Sequence, residues 1–410
     1  MTRTFAIVGA GLAGAKAAET LRTEGFDGRV VLFGDEPDRP YERPPLSKGY
    51  LRGEDSVDKV FVHDEVFYET NDIDLRTGTR VDALDLHARR LLLPGNGTLR
   101  FDALLLATGS APRRPPIPGI DLYGVHVLRT LEDSRRLRHA LSTAAHVVIV
   151  GAGWIGCEVA ASARQLGRQV TVVDPLPTPL FRVLGAEVGA VFGELHQGHG
   201  VTLRLGVGVE RFLGGTMVEA VILSDGTRVE ADVVVVGVGV TPRIELAAAA
   251  GLSVSEGVLA DTFLQTSAEG VFVAGDIAAA RHPFLDGRVR VEHWANALNQ
   301  GQQAAKNMLG AAEAYDRLPY FYSDQYDVGL EYAGHAMSWD DVVFRGDVGN
   351  HEFVALYRKD GRVVAGIAVN VEGVMDPIKA LIGSRAQPAT VALRDPSVDL
   401  AGLAREAIRQ

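Results

Sequence analysis

Two glycine-rich segments with the same spacing are the residues of this chain most able to support chemistry. In the spacing Gly-X-Gly-X-X-Gly, the first glycine permits a tight turn, the second lets the backbone approach a pyrophosphate, and the third lets a helix pack closely on the preceding strand. Backbone N–H groups at the helix start would then bind the pyrophosphate. The two segments are Gly9-Ala10-Gly11-Leu12-Ala13-Gly14 and Gly151-Ala152-Gly153-Trp154-Ile155-Gly156. Two dinucleotides bound by one protein would allow electrons to pass between them.

Each fingerprint lies in the order strand, turn, helix, strand that a dinucleotide-binding fold requires. Apolar runs at residues 5–8 and 147–150 precede the glycines, and β-rich runs at 29–34 and 169–173 follow the helix patterns. These second runs end in Asp35-Glu36 and in Asp174. An acid about 20 residues after the glycines suits ribose hydroxyls. We predict that Asp35 or Glu36 serves the first nucleotide and that Asp174 serves the second.

The residues around Asp174 favour NADH over NADPH. A carboxylate accepts hydrogen bonds from the 2′- and 3′-hydroxyls of a ribose and repels a 2′-phosphate. The residues that follow are Pro175, Leu176 and Pro177, so no arginine directly follows to receive that phosphate. Arg182, further along, is the one nearby positive charge that opposes this interpretation.

Composition and charge narrow the class of protein. The chain has 410 residues, 47% of them hydrophobic and 23% charged, as in ordinary globular proteins. Its net charge of −11 argues against a nucleic-acid partner. Its single cysteine, Cys157, permits no intrachain disulfide and suits a reducing compartment. With no signal-peptide pattern and no apolar stretch of about 18 residues, we predict a cytoplasmic protein that does not interact with membranes.

Proline and glycine content divides the chain into three predicted domains. The proline-rich residues 113–119 mark a crossing between domains, and the apolar run 270–276, which ends in glycine and acid, indicates a return to the first one. We predict a discontinuous nucleotide-binding domain of residues 1–112 and 243–318, with a second such domain, 113–242, inserted. Three β-like runs, a hairpin signal at Asp360-Gly361 and helical patterns at 376–382 and 400–408 predict a C-terminal α+β domain over 319–410.

Over essentially its whole length the chain resembles the FAD-dependent, NADH-linked ferredoxin reductases of the putidaredoxin, rubredoxin and biphenyl-dioxygenase reductase type. The resemblance rests on the two fingerprints, the strand end Ala107-Thr108-Gly109, the segment Pro44-Pro45-Leu46-Ser47-Lys48, Gly275-Asp276 and residues 319–325. It implies a glutathione-reductase-like α/β fold, with two Rossmann-like dinucleotide-binding domains and a C-terminal α+β domain. The first domain would bind FAD and the inserted one NADH.

The resemblance also implies roles for individual residues. Asp276 would lie on the ribityl-phosphate side of FAD, and the backbone at Trp294 would meet the pyrimidine end of the flavin. A helix start there would compensate the negative charge of a reduced flavin. The implied FAD-binding residues are Gly9, Gly11, Leu12, Ala13, Gly14, Asp35, Glu36, Arg43, Lys48, Val81, Ala107, Thr108, Gly109, Arg129, Gly275, Asp276 and Trp294. The implied NAD-binding residues are Gly151, Gly153, Ile155, Gly156, Glu158, Asp174 and Gly237.

Lys48 and Glu158 are the predicted catalytic residues. In the resembling family the lysine lies beside the flavin and pairs with the glutamate, which would orient it and the nicotinamide, since hydride transfer needs no general acid. Cys157 has no cysteine partner, so disulfide reductase chemistry is disfavoured and we interpret it as a small buried residue. His196 and His199 lack a third ligand nearby in the sequence, and we predict no metal site.

We therefore predict an NADH-dependent ferredoxin reductase. A hydride would pass from NADH to FAD, and single electrons would then pass to a [2Fe–2S] or [3Fe–4S] ferredoxin that serves a cytochrome P450 or a ring-hydroxylating dioxygenase. One alternative is an NADH oxidase or quinone reductase on the same scaffold. Another is a flavoprotein like apoptosis-inducing factor whose main role is interaction; the charge of −11 disfavours its DNA-binding role.

Overall fold

The computed structural model describes residues 2–285 and 287–408. Met1, Asp286, Arg409 and Gln410 lie outside the described residues. Met1 is the first residue of the predicted first domain, and Gln410 is the last residue of the predicted C-terminal domain. The chain forms a mixed α/β structure, which confirms the predicted fold class.

Helices alternate with strands around both fingerprints, and runs of consecutive strands make up much of the rest of the chain. The helices are α1 (Leu12–Thr23), α2 (Gly49–Arg52), α3 (Phe67–Thr70), α4 (Leu131–Thr143), α5 (Trp154–Gln165), α6 (Phe181–Gly198), α7 (Glu245–Ala249), α8 (Trp294–Met308), α9 (Met375–Ser384), α10 (Thr390–Arg394) and α11 (Leu400–Ile408). The first thirteen strands are β1 (Thr4–Val8), β2 (Arg29–Phe33), β3 (Ile73–Arg76), β4 (Ala83–Asp85), β5 (Arg90–Leu93), β6 (Gly97–Arg100), β7 (Ala103–Leu106), β8 (Ser110–Pro112), β9 (Val125–His126), β10 (His146–Val150), β11 (Gln169–Asp174), β12 (Thr202–Leu205) and β13 (Val209–Leu213). The remaining strands are β14 (Ala220–Leu223), β15 (Arg228–Glu230), β16 (Val233–Val236), β17 (Val240–Pro242), β18 (Val258–Ala260), β19 (Val271–Val273), β20 (Ala278–Arg281), β21 (Arg288–Val289), β22 (Tyr320–Gln325), β23 (Val328–Gly334), β24 (Asp341–Asp347), β25 (Glu352–Lys359) and β26 (Arg362–Val369).

The described residues fall into two compact units. Unit 1 comprises Met1–Arg43, Val57–Ala111 and Val240–Pro319, and unit 2 comprises Pro44–Ser56, Pro112–Gly239 and Tyr320–Gln410. The segment from Pro44 to Ser56 thus packs with unit 2. The division into three domains at residues 112, 242 and 318 stays a prediction.

Unit 1 is built on a parallel five-stranded sheet in the order β19-β7-β1-β2-β3. Strand β1 lies at its centre, where Val8 pairs with Phe33 on one side and Leu106 on the other. Central strands of a parallel sheet are buried on both faces, so their sequences are continuous apolar runs. Strands β1 and β7 show this pattern. Because parallel strands end at one edge, the first fingerprint and the acids after β2 meet there.

Unit 2 contains a second parallel five-stranded sheet, in the order β12-β11-β10-β16-β9, and an antiparallel sheet in the order β22-β23-β26-β25-β24. One hydrophobic cluster joins α6 to the inner face of the antiparallel sheet, with Leu184 and Phe192 packed among residues such as Phe353 and Tyr357. The helix and the sheet therefore share one core.

The C-terminal sheet was predicted in part. The β-like runs correspond to β24, β25 and β26, and the hairpin turn at Asp360 and Gly361 has positive φ at both residues, as that turn type requires. The helical patterns correspond to α9 and α11. Sequence reasoning missed β22 and β23. Strand β22 buries Ser323 and Gln325, so its buried face lacks the apolar alternation that marks a strand.

The proline-rich stretch after β2 contains helical turns, although proline-rich sequence is typical of loops and extended segments. Residues Pro44–Ser47 form a short 3₁₀ helix, and α2 begins directly after Lys48. Proline is compatible with the first turn of a helix because its missing N–H has no intrahelical acceptor there. In the described part of the chain, no helix has the length and apolarity needed to cross a membrane.

Helices α1 and α8 of unit 1 cross at Gly301. A Cβ at this position would overlap the carbonyl oxygen of Ala13 and the neighbouring backbone. We expect Gly301→Ala to lower the free energy of unfolding by about 1–3 kcal/mol through overpacking, despite the better helix propensity of alanine. Thermal unfolding measures this loss. As a control, Gly383→Ala in α9, where a Cβ meets no described atom within 4 Å, should be neutral or stabilising. Equal effects of the two substitutions would contradict the close crossing.

Candidate active site

The first fingerprint forms the turn between β1 and α1 in unit 1. Gly9 has a φ of +120°, and a Cβ there would overlap the carbonyl oxygen of Ala107. A Cβ at Gly14 would overlap the carbonyl oxygen of Gly9, so glycine brings the helix close to the turn. A Cβ at Gly11 would meet none of the described atoms within 4 Å. The turn is tight on its protein side and open on the other, which fits a pyrophosphate.

The start of α1 has the character of an anion site. Gly11 precedes the helix, its first turn contains no acid, and no side chain of the described residues caps it. The first N–H groups of a helix and its dipole attract negative charge. The predicted residues Leu12 and Ala13 lie in this first turn, and both are buried.

Residues distant in sequence converge on this turn within unit 1. The turn at Gly275 lies beside it, since a Cβ on Gly275 would be 3.4 Å from the Cβ of Ala13. The backbone N–H of Gly275 donates to Oε1 of the buried Gln300 at 2.9 Å. Asp276 follows and is 9% exposed. The predicted pair Gly275-Asp276 is thus held against the fingerprint by α8.

Arg43 lies in a cluster of groups that favour its positive charge. Its guanidinium is 3.5 Å from Oε1 of Glu36, whose other carboxylate oxygen accepts from the Tyr41 hydroxyl at 2.5 Å. Burial opposes the charge of Arg43, but Tyr41, Glu36 and Asp276 outweigh it and raise its pKa. The guanidinium therefore stays cationic, as a group that binds a phosphate must.

The two acids after β2 have different partners. Oδ2 of Asp35 accepts from the Arg243 guanidinium at 2.9 Å, an exposed ion pair. Glu36 pairs with Arg43, and its backbone carbonyl accepts from Gly78 at 2.8 Å. Either carboxylate retains lone pairs for a ribose, so the choice between them stays open.

The other predicted FAD residues are divided between the two units. Ala107 is buried, and Thr108 and Gly109 bond to the backbone of Arg243, all within unit 1. Val81 of unit 1 is buried, and Trp294 of the same unit is the first residue of α8. Lys48 and Arg129 belong to unit 2, where the backbone N–H of Arg129 donates to Asp133 before α4.

The second fingerprint repeats the first in unit 2. Gly151 has a φ of +102°, and a Cβ on Gly156 would overlap the carbonyl oxygen of Gly151. A Cβ at Gly153 would meet no described atom within 4 Å, and no described side chain caps α5. Gly237 lies beside the turn, and Ile155 is 41% exposed. The same backbone shape therefore offers a second pyrophosphate site.

Asp174 is the last residue of β11, and its carboxylate forms a hydrogen bond with the backbone of the second fingerprint. Its Oδ2 accepts the backbone N–H of Ala152 at 2.7 Å, and its Oδ1 accepts that of Leu176 at 2.8 Å. A carboxylate offers about four acceptor positions. Two of them thus remain for ribose hydroxyls, in keeping with the predicted role.

Glu158 and Lys48, the two predicted catalytic residues, are in direct contact within unit 2. The Lys48 ammonium is 3.0 Å from Oε1 of Glu158, and the two side chains are 14% and 6% exposed. Lys48 also lies 5.5 Å from the centre of the Tyr322 ring. Partial desolvation raises the pKa of nearby Asp324; Lys48 opposes this effect and Glu158 adds to it. The site is a buried ion pair at the start of α5.

Sequence reasoning missed two partners of this ion pair. Ser47 donates to Oε2 of Glu158 at 2.5 Å, and Ser323 donates to Oε1 at 2.6 Å. Their separations from Glu158 are 111 and 165 residues, too far for any local pattern to reveal. The one signal for these partners is Ser323, a polar residue that lies at a buried position of β22.

His196 of α6 and His199, directly after that helix, both contact the C-terminal part of unit 2. In His196, Nδ1 is 3.1 Å from the Tyr326 hydroxyl and Nε2 is 2.9 Å from Oε1 of Gln325. Burial lowers the pKa of His196 to about 4, which keeps the ring neutral near pH 7. The ring of His199 stacks on Tyr326 at 3.6 Å. These rings contribute to packing between α6 and β22–β23.

Family comparisons agree with this architecture. Residues 3–301 match the family described as pyridine nucleotide-disulphide oxidoreductase, and residues 320–404 match the reductase C-terminal family. The anthranilate 1,2-dioxygenase system ferredoxin–NAD(+) reductase component of Burkholderia cepacia is 42% identical over 97% of this chain and 98% of its own length. Putidaredoxin reductase of Pseudomonas putida is 35% identical over 96% of this chain and 95% of its own.

A solved structure has the same fold throughout. The reductase in the covalent complex of putidaredoxin reductase with putidaredoxin superposes with a TM-score of 0.95, covering 100% of this chain and 99% of that one at 35% identity. The two parallel sheets and the C-terminal antiparallel sheet thus belong to a fold that is shared over the whole chain. The chain is a member of the pyridine nucleotide-disulphide oxidoreductase family, in its branch of FAD-dependent ferredoxin–NAD reductases.

Proposed function

We propose that this chain transfers a hydride from NADH to FAD and passes single electrons to a [2Fe–2S] or [3Fe–4S] ferredoxin. The ferredoxin would serve a cytochrome P450 or a ring-hydroxylating dioxygenase. When bound, FAD supplies chemistry that accepts two electrons together and releases them singly. The names of the relatives from anthranilate and biphenyl dioxygenase systems support this proposal.

The single cysteine is the observation that carries the proposal. Cys157 is the chain's only cysteine and is buried in α5. Burial raises the pKa of its thiol, and Glu158 and Asp174 add to the effect, so the reactive thiolate is suppressed. A member of this family without a dithiol must deliver its electrons to an external acceptor. We also propose a cytoplasmic location, since a chain with one cysteine suits a reducing compartment.

The two fingerprints divide the nucleotide binding. The turn at Gly9–Gly14, with the N-terminus of α1 and the Arg43 guanidinium, would hold the FAD pyrophosphate. Asp276 would contact the ribityl-phosphate side, and the start of α8 at Trp294 would place positive helix dipole near the flavin pyrimidine. The second fingerprint and Asp174 would hold NADH.

The Lys48–Glu158 pair would orient the reacting groups. Lys48 carries a positive charge whose position is fixed by the buried carboxylate of Glu158. Holding the nicotinamide and flavin in register removes much of the entropic cost of hydride transfer. No proton has to be donated in this step, so the pair acts through geometry and charge.

Ferredoxin dependence tests this function. We expect NADH-driven cytochrome c reduction by the FAD-loaded enzyme to require an added ferredoxin, because in the proposed function the flavin passes its electrons to the ferredoxin, which then reduces cytochrome c. A panel of [2Fe–2S] and [3Fe–4S] ferredoxins, assayed with matched oxygen-consumption controls, measures it. Fast oxygen consumption without ferredoxin, or quinone reduction that no ferredoxin improves, would instead identify an oxidase or quinone reductase.

Nucleotide preference tests the role of Asp174. We expect the wild type to prefer NADH, and Asp174→Asn to lower kcat/KM for NADH about tenfold or more while narrowing the preference over NADPH, since the substitution removes a charged acceptor and a repulsive charge. Steady-state kinetics with both nucleotides measures both effects.

Asp232 offers a matched control. Its Oδ2 accepts the backbone N–H groups of Ala145 and His146, both at 2.8 Å, before β10 at the opposite edge of the same parallel sheet. Asp232→Asn should therefore affect stability without changing nucleotide preference. A better rate with NADPH in the wild type, or the same kinetic change in both variants, would refute the assignment.

A further inference from the structure

We infer that Ser47 and Ser323 are positioning residues for the reaction, holding the Glu158 carboxylate in place and aimed at Lys48. The inference rests on the proposed function, in which Lys48 lies beside the flavin. It adds to that function a pair of hydroxyl donors, one from the 3₁₀ helix Pro44–Ser47 and one from β22. We call Ser47 and Ser323 the serine clamp.

The two hydroxyls of the clamp occupy both oxygens of one carboxylate. Ser47 donates to Oε2 at 2.5 Å, whereas Ser323 donates to Oε1 at 2.6 Å and shares that oxygen with the Lys48 ammonium at 3.0 Å. Three donors from two segments far apart in the sequence, Ser47 with Lys48 and Ser323, fix the carboxylate in position and in rotation. A lysine alone would fix neither, since an ammonium is a point charge on a flexible stem.

Burial makes these donors necessary. Ser47 and Ser323 are each 1% exposed, and Glu158 is 5% exposed. A carboxylate removed from water is costly unless hydrogen bonds and an opposite charge replace its hydration. Hydrogen bonds to the ionised form favour that form. The clamp therefore replaces water around Glu158 and leaves Lys48 as its ionic partner.

Both serines are themselves held in place. The carbonyl of Ser47 accepts from the hydroxyl of Ser162 in α5 at 2.6 Å, and the carbonyl of Leu46 accepts from the buried Ser134 in α4 at 2.8 Å. On β22, the residues two before and two after Ser323 are also anchored: Phe321 packs on Trp154 at 4.6 Å, and Gln325 contacts His196. Rigid support of this kind is expected around a group whose orientation matters.

The charged and titratable groups near Glu158 come from three elements. Lys48 faces it from the end of the 3₁₀ helix, Asp324 and Tyr322 lie on β22, and Cys157 precedes it on α5. Lys48 is the one cation among these groups. Asp324 is a second carboxylate close to Glu158. Removal of one clamp hydroxyl therefore leaves Glu158 with two favourable partners, Lys48 and the other serine, beside that carboxylate.

The test compares Ser323→Ala with Ser323→Thr and Ser384→Ala in the FAD-loaded enzyme. Threonine keeps the hydroxyl, and Ser384 is a serine of the same C-terminal segment whose hydroxyl donates to the carbonyl of Leu381. Three properties are measured from pH 5 to pH 9, a range of about four units that spans ordinary carboxyl and histidine pKa values. They are the rate of flavin reduction by NADH in stopped flow, the flavin midpoint potential, and the flavin absorption spectrum without NADH.

We expect the rate of flavin reduction in Ser323→Ala to fall about tenfold at the acid end of this range and to approach that of the wild type at the alkaline end, because a hydrogen bond to a charged group is lost. The midpoint potential of Ser323→Ala should be more positive than that of the wild type at the acid end, since the Lys48 ammonium is then less well paired with Glu158. Ser323→Thr should restore the wild-type profile, and Ser384→Ala should leave it unchanged.

Identical pH profiles and potentials in the wild type and Ser323→Ala overturn the inference, as does a uniform loss of rate at every pH. Should Ser323→Ala unfold or lose FAD, Ser323→Cys takes its place, because a thiol of similar size is only a weak donor. If NADH fails to reduce the flavin of the wild type, the proposed function fails. The potential and the absorption spectrum still test the clamp in that case.

Discussion

The buried carboxylate of Glu158 is the constraint on which unit 2 depends. A charge that is 5% exposed requires partners, and the chain supplies them to α5 from two other segments: Lys48 and Ser47 before α2, and Ser323 on β22. Breaking such an arrangement by removing one partner is far more costly than the net gain from forming it. This explains why residues 44–56 pack with unit 2. It also explains why the C-terminal sheet buries polar side chains.

The two fingerprints share one backbone geometry. In each, a glycine with positive φ turns the chain, and a later glycine brings the helix onto that turn; the helix start is left without an acidic or capping side chain. The difference lies in what surrounds them. The Gly275 turn adjoins the first, with Arg43 close to Asp276, whereas Asp174 and Glu158 belong to the second. The repeated motif alone would not tell a permanent cofactor from an exchangeable one.

Sequence reasoning predicted what local patterns encode. The fingerprints, the acids after them, and strands β24 to β26 follow from glycine chemistry and from apolar alternation, and the structure confirms the turns and strands. The clamp was beyond its reach, because the separations of 111 and 165 residues leave no local trace. Asp35 gives a second example, since its ion pair with Arg243 joins residues 208 positions apart. Strand β22 was missed because two of its three buried residues, Ser323 and Gln325, are polar. Ser323 is one of the two serines that bind Glu158.

The most direct test of the role of Lys48 is the rate at which NADH reduces the flavin in Lys48→Met, compared with the same rate in Lys359→Met. Lys359 is a partly exposed lysine, 3.5 Å from Asp340, and controls for the loss of a lysine–carboxylate pair elsewhere in unit 2. With FAD content equal in both, the account predicts a loss on the order of 10²-fold in Lys48→Met, as expected when reacting groups are misplaced, and no loss in Lys359→Met. Reduction at the wild-type rate in Lys48→Met would contradict it.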